Sequence, residues 1–455
     1  MTSQKQPFSL LRAIGLGDLA GQGFRVQFSF WSMVAMTFFL FGDQNLASPN
    51  LSRIGAAFGI TDEAEYRAKI AGHASLYFFV IGGIASILVG AFTDIWNRKL
   101  LLFGTVFAGE LACFFTAFAP NYTTYIVLRT LTGIGLGGIF PIIFSLLGDH
   151  FKPENRSSAS GWLALAMGLG IGVGQILGGM LATATVFGLE GWRASFAIMA
   201  GPCFPLLFLY LAIGETPKRG GAENVHETTG EEPKHSLGLS DFKRIASSKT
   251  NILAILQGIP GCVPWGLIFF FLVDYYEKSK GFKPSDGVLL TTVFGGVLIF
   301  GGFIGGFVGR AVYNWKKAAL PVFCAACVLL GIVPMIYILN FQGNSMLYPM
   351  IAAALGGIVI PQAGPNIRSI LVNTNLPENR GSIFGVFNFA DDLGKGLGPF
   401  VVGEILRLVG SDSLAYNLAI YCWIPCAIGW LLMAFTMEAD EKKVEDTLIA
   451  RGAKR

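Results

Sequence analysis

Long apolar runs broken by short polar stretches set the pattern of this chain. A membrane-crossing helix needs about 20 mostly apolar residues. Runs of that kind lie at 28–49, 69–93, 100–119, 122–148, 157–186 and 194–213. Six more follow at 250–275, 286–309, 318–340, 346–372, 382–408 and 415–437. Between the two sets lies a polar stretch, 215–248, with Gly220, Gly221, Glu231, Glu232, Pro233 and Lys234. Its composition is that of a flexible linker, and its end, Ser240–Ile245, is expected to form a short interfacial helix. The pattern predicts an all-α polytopic membrane protein of twelve spans. Residues 1–214 form one six-helix bundle, 215–248 a linker and 249–455 the second bundle.

An even number of spans puts both termini on one side. Loops on that side hold about 22 Lys/Arg against about 8 on the other, so the positive-inside rule places both termini in the cytoplasm. Arg129, Arg368 and Lys395 fall within spans. An inner or plasma membrane is the expected location, and residues 1–26 show no secretory signal.

The halves repeat each other. Pro153-Glu154-Asn155-Arg156 recurs as Pro377-Glu378-Asn379-Arg380, each between the fourth and fifth spans of its half. Gly137-Gly138-Ile139-Phe140-Pro141 is echoed by Gly356-Gly357-Ile358-Val359-Ile360-Pro361, and Asn97-Arg98-Lys99 by Asn314-Trp315-Lys316-Lys317. Three matches in one order, about 220 residues apart, indicate duplication of a six-span unit, the plan of a transporter with its site between repeats.

Composition supports lipid as the solvent. Apolar residues make up 53% and charged ones only 14%, against about 25% charged in soluble domains. The 59 glycines suit close helix approach in a membrane. The seven cysteines fall in or beside apolar runs and read as packing residues, including the Cys324/Cys327 pair. The net charge of +4 and the absence of a basic aromatic stripe give no sign of a nucleic-acid partner. Gly133–Gly138 has no strand ahead of it to form a dinucleotide loop, and Asn121-Tyr122-Thr123 fits a glycosylation acceptor only in a very short loop. No P-loop, HExxH or GxSxG appears, so no cofactor or catalytic reaction is indicated.

The motifs resemble the major facilitator superfamily over nearly the whole chain. Gly90–Lys99 is similar to its loop signature GxxxDRxGR[RK], with Ile95 and Asn97 departing from it. Arg129–Gly137 matches the fourth-span RxxxGxGxG, and Gly170–Gly179 resembles GxxxGPxxGG with Gln175 in the Pro position. Gly214–Gly220 is similar to the motif after the sixth span. Within the superfamily, Asp43, Asn97-Arg98-Lys99, Arg156-Ser157 and Glu215-Thr216-Pro217 resemble Spinster-like transporters, whose substrates include lysolipids and sphingolipids. Leu136 stands where that family usually has a Glu of its proton-linked network. The resemblance implies that Asp94 and Arg98 latch the cytoplasmic end; the alternative is positive-inside anchoring by Arg98 and Lys99 alone.

Charges inside spans are costly and mark candidate sites. Asp391, Asp392 and Lys395 lie about ten residues into span eleven, near the midplane where transporter sites lie. The spacing lets Lys395 reach either carboxylate. Gly394 and Gly398 lie on the Asp391 side of the helix, so if they pack a neighbour, Asp392 faces the cavity. The trio is either a substrate or proton site or a structural ion pair. Asp43 is read as a proton-exchanging carboxyl or a helix-end cap, and Arg129 as an anion binder or a counter-ion to Asp43. Arg368 either lines the path or snorkels to headgroups. Glu110 sits in a span that the resemblance makes peripheral. His73 is read as structural. In span seven, Gly258–Gly266 holds Pro260, Gly261 and Pro264, which should prevent a regular helix and make a hinge or gate, with Trp265 facing substrate. Pro361, Gly364 and Pro365 should interrupt span ten in the same way.

The expectation is a monomeric secondary active transporter working by alternating access. Spans one, four, seven, ten and eleven should supply the site, and protons should drive flux through Asp43 or Asp392. The solute is a lysolipid-like amphiphile or a small organic anion or zwitterion. A non-transporting receptor and an intramembrane enzyme are the other classes.

Overall fold

The computed structural model of the chain describes residues 10–62, 69–70, 73–220, 245–409 and 411–451. Among these, ten helices are long and apolar enough to cross a membrane. Two more helices of 30 residues each, Lys249–Lys278 and Arg380–Val409, complete twelve. Span one is Phe24–Gln44, span two Ala74–Ile95, span three Arg98–Thr116, span four Tyr122–His150 and span five Arg156–Leu181. Span six, Gly191–Ile213, is broken at Gly201 and Pro202. Spans seven to nine are Lys249–Lys278, Pro284–Trp315 and Ala319–Asn340. Spans ten to twelve are Leu347–Asn373, Arg380–Val409 and Ser413–Met433. Most of the expected linker, and all of Ser240–Ile245 except Ile245, lies outside the described residues.

Short polar side chains set several helix starts. Asn97, Asn121, Ser248 and Ser411 each accept a backbone N–H of the first turn of spans three, four, seven and twelve. Asn121 therefore caps a helix. Each Pro-Glu-Asn segment forms a 3-10 turn, and the Arg that follows begins spans five and eleven. The sequence repeat is a structural repeat.

Glycines bring the helices together. Gly170 and Gly174 of span five abut the carbonyls of Phe38 and Gly42 in span one, and Gly178 that of Leu46 just beyond it. In span four, Gly133 and Gly137 meet span two at Phe78 and Gly82, while Gly135 meets Gly109 of span three. A methyl group at any of these positions would collide with backbone, which is why small residues mark such crossings. Between the halves, span two runs along span eleven, with Gly90 against Gly381 and Gly385. Span five runs along span eight, with Gly161 against Gly306. The second span of each half thus meets the fifth of the other, the arrangement of a duplicated unit.

Span seven departs from expectation. The helix runs unbroken through Pro260, Gly261 and Pro264. Proline removes a helical bond, but neighbouring spans fill the gaps. Gly258 backs onto Asp391, Gly261 onto Cys426, and Trp423 Nε1 donates to the Gly261 carbonyl at 3.0 Å. Span ten is interrupted as expected, with a 3-10 turn at Ile360–Gln362.

Both described chain ends lie at one end of the bundle, called here the terminal end. Asp18 accepts from Lys152 N and Asn155 Nδ2, each at 2.9 Å. A helix that the apolar pattern gives no reason to expect, Met437–Ala450, follows span twelve. It is tied to span seven by Asp440, to Tyr313 and Lys317 by Glu441, and to Glu378 by Arg451.

Candidate functional site

A small, nearly closed cavity sits where span eleven meets the first half. Phe41 and Gln44 of span one, Phe78 and Phe79 of span two, and Leu136 and Phe140 of span four form most of its wall. Asp392 and Lys395 of span eleven supply the charge. It has room for little more than a water molecule, far below the roughly 300–1,000 Å³ of ordinary ligand pockets, so any solute needs the walls to part.

The span-eleven trio is divided. Lys395 Nζ donates to Asp392 Oδ1 at 2.8 Å, and Asn388 Nδ2 donates to Asp392 Oδ2 at 3.1 Å. The ammonium also lies 5.9 Å from the centre of the Phe79 ring, within cation–π reach. Asp392 is 6% exposed and faces Gly83 of span two. Asp391 turns the other way, toward Gly258 of span seven, and Gly394 presses on Ile259 and Cys262. The glycine argument from the helical wheel gives the observed facing.

Arg368 does not snorkel. Its guanidinium stacks 5.5 Å from Phe140 and 5.2 Å from Phe144 in the other half, and donates to Gly364 O at 3.2 Å. Among the described residues no carboxylate pairs with it within salt-bridge distance, and the Asp391 carboxyl acts on it through space. It lies behind the Phe140 wall, a cation reaching across the seam between the halves.

Three placements correct the sequence reading. Among the described residues Arg129 forms no salt bridge with a carboxylate; it donates to the backbone carbonyls of Asp43 and Gln44 at 3.0 and 3.1 Å. The last carbonyls of a helix lack intrahelical donors and carry the negative end of its dipole, which draws the guanidinium. Span one ends at Gln44 and not near residue 49. Asp43 points away from the cavity, because Phe41 and Gln44 share one face of the helix and Asp43 the opposite one. Trp265 does not face the cavity; its ring lies against Phe294 of span eight and Trp423 of span twelve, inside its own half. Among the described residues, spans seven and ten contribute nothing to the cavity lining, whereas span two does.

At the terminal end the halves are clasped. Asp94 accepts the backbone N–H groups of Gly381 and Ser382, both at 2.7 Å. These are the free donors at the start of span eleven, where a carboxylate is favoured. Arg98 turns instead to Asp149 at the end of span four, and donates to Pro217 O at 2.9 Å. Arg380 Nη1 reaches the same Asp149 at 3.1 Å from the other half, and Arg156 Nη1 donates to Asn373 Oδ1 at 2.8 Å. Asp149 and Asn373 hold the same place ahead of Arg156 and Arg380. The two cross-half bonds are therefore duplicates, with a carboxylate in one and an amide in the other. Sequence reasoning used the two Pro-Glu-Asn-Arg segments as a sign of duplication and passed over their arginines and Asp149. A polar side chain seven residues ahead of each arginine, Asp149 in one loop and Asn373 in the other, was the available signal.

The chain matches the model of the Major Facilitator Superfamily over residues 33–399. It is 23% identical over 392 residues to the "Sphingosine-1-phosphate transporter SPNS2" of Xenopus tropicalis, covering 83% of this chain and 74% of that protein. A solved bacterial homologue of the human lysosomal transporter Spinster, inward-facing and unoccupied, superposes with a TM-score of 0.62 at 17% identity, covering 92% and 99% of the two chains. The transporter FucP in its outward conformation gives 0.69 at 16% identity, covering 89% and 98%.

Proposed function

Because the chain belongs to the major facilitator superfamily and is a multi-pass membrane transporter, we propose that its solute has a charged head and an apolar body. The observation that carries this is the make-up of the cavity: one ion pair, Asp392–Lys395, against a wall of Phe41, Phe78, Phe79, Phe140 and Leu136. An aromatic wall takes the body by area burial, and the ion pair exchanges its partners for the head. A lysolipid-like amphiphile has this form, and the likeness to a sphingosine-1-phosphate transporter supports it. Both termini are cytoplasmic by the charge bias of the loops. The clasp of Asp94, Arg98, Asp149 and Arg380 then closes the cytoplasmic end, and the cavity belongs to a state that opens outward. One chain holds the whole site between its own halves and works as a monomer. Protons drive the cycle through buried carboxyls.

The test is flux of sphingosine-1-phosphate and lysophosphatidylcholine in proteoliposomes under an imposed pH gradient, beside a set of small carboxylates. Asp392→Asn and Lys395→Gln should each lower amphiphile flux at least about tenfold, a loss of about 1.4 kcal/mol. Flux equal to wild type in both variants would remove the cavity from the mechanism. Carboxylate flux in place of amphiphile flux would reassign the solute.

A further inference from the structure

Glu110 has no role in the cavity, yet it is fully buried in the middle of span three. The Gly109–Gly135 crossing presses span three onto span four and turns Glu110 inward, toward span one. There it meets Asp43, also fully buried. The two carboxyls are close enough to interact, with the thiols of Cys113 and Cys203 beside them. Among the described residues no N–H or O–H donates to any of the four carboxyl oxygens, and only the weak S–H donors of Cys113 and Cys203 stand beside them. Ionised carboxylates carry only acceptors, so two facing each other have no donor to share. Leaving them so, in the interior, is among the most costly arrangements a protein can hold.

The charged and titratable groups around the pair are few. Span three offers Cys113, span six Cys203, and span four Arg129 with Tyr125 beyond it. Arg129 has already committed two donors to the end of span one. Its charge still acts on Asp43 through space.

We propose that Asp43 and Glu110 form a single proton-binding site, holding one proton between them in the closed state. The proton supplies the missing donor, and one carboxylate then remains opposite Arg129, so the buried cluster is neutral. Loss of the proton to water leaves two carboxylates against one guanidinium, a net charge of −1. That state requires water at the end of span one, where Gln44 lines the cavity on the far face of the same helical turn. Like charges forced together in this way titrate as a pair with one proton firmly held. The site gives the proton-driven reading a carrier outside the solute cavity, and it is testable without any transport.

Infrared spectroscopy of the purified protein in nanodiscs at neutral pH reads protonated carboxyls through their C=O stretch, which shifts in D2O. Asp43→Asn and Glu110→Gln should each remove the amplitude of one protonated carboxyl, and the double variant should remove the same single amplitude. No loss in either variant, or a two-carboxyl loss in the double variant, overturns the shared site. Should Glu110→Gln fail to fold, Asp43→Asn asks the same question from the other side of the pair: one carboxyl lost supports the site, none refutes it. A positive result beside absent lipid flux would leave the pair standing and discard the proposed solute.

Discussion

Asp391 and Asp392 are adjacent in the chain and face different helices. The rotation of about 100° per residue separates them, and Gly394 decides which side is packed. That much was legible in the sequence. The partner of Arg129 was not, because a helix-end carbonyl has no mark in the sequence; only the position at which span one stops creates it. Glu110 was equally hidden, since its inward turn depends on a glycine crossing with span four. Asp149 gives the sharpest residue-level prediction. Its single carboxylate faces both Arg98 and Arg380, which are 5% and 1% exposed. Asp149→Asn keeps the shape and removes the carboxylate shared by the two guanidinium groups, and breaking a buried pair costs about 3–5 kcal/mol. The thermal midpoint of the closed protein should fall clearly; an unchanged midpoint would show that the ion pairs contribute nothing.

Among the elements, span boundaries came from apolar runs to within a few residues in most spans, while span seven shows how local rules are overridden. Two prolines and neighbouring glycines argue for a break, but Trp423, Asp391 and Cys426 occupy the gaps and the helix continues. Tertiary contacts of that kind leave no local trace. The helix Met437–Ala450 is polar enough to escape a search for spans, and its tethers cross to the start of span seven and to two loops. Burial pushes the Asp440 carboxyl up, but hydrogen bonds from Thr250, Ser248 and Lys443 outweigh this and hold it below the ordinary carboxylate range. A depressed folded value means that the contribution is full above the unfolded pKa of about 4 and is lost as pH falls through the folded one. Protection from hydrogen exchange across residues 437–450, corrected for the intrinsic rate at each pH, should therefore be high at neutral pH and fall below about pH 4. In Asp440→Asn it should be low at both, and equal protection in variant and wild type would show that the tether is idle.

At the scale of the molecule, duplication explains the scaffold and charge explains its bias. The repeated loops, the paired seams and the crossed arginines follow a two-fold plan that the sequence repeat already carried. The departures from that plan sit where function is expected: Asp392 and Lys395 in span eleven, Asp43 and Glu110 in the first half, and Asp149 opposite Asn373 at the clasp. Alternating access requires the terminal end to open as the cavity closes to the other side. Spin labels at Lys152 and Lys316, exposed sites on opposite halves of that end, report this directly in a cysteine-light background. Pulsed dipolar spectroscopy should show a short and a long distance in wild type, with the long one enriched in Asp149→Asn. A single distance, the same in wild type and variant, would contradict the account.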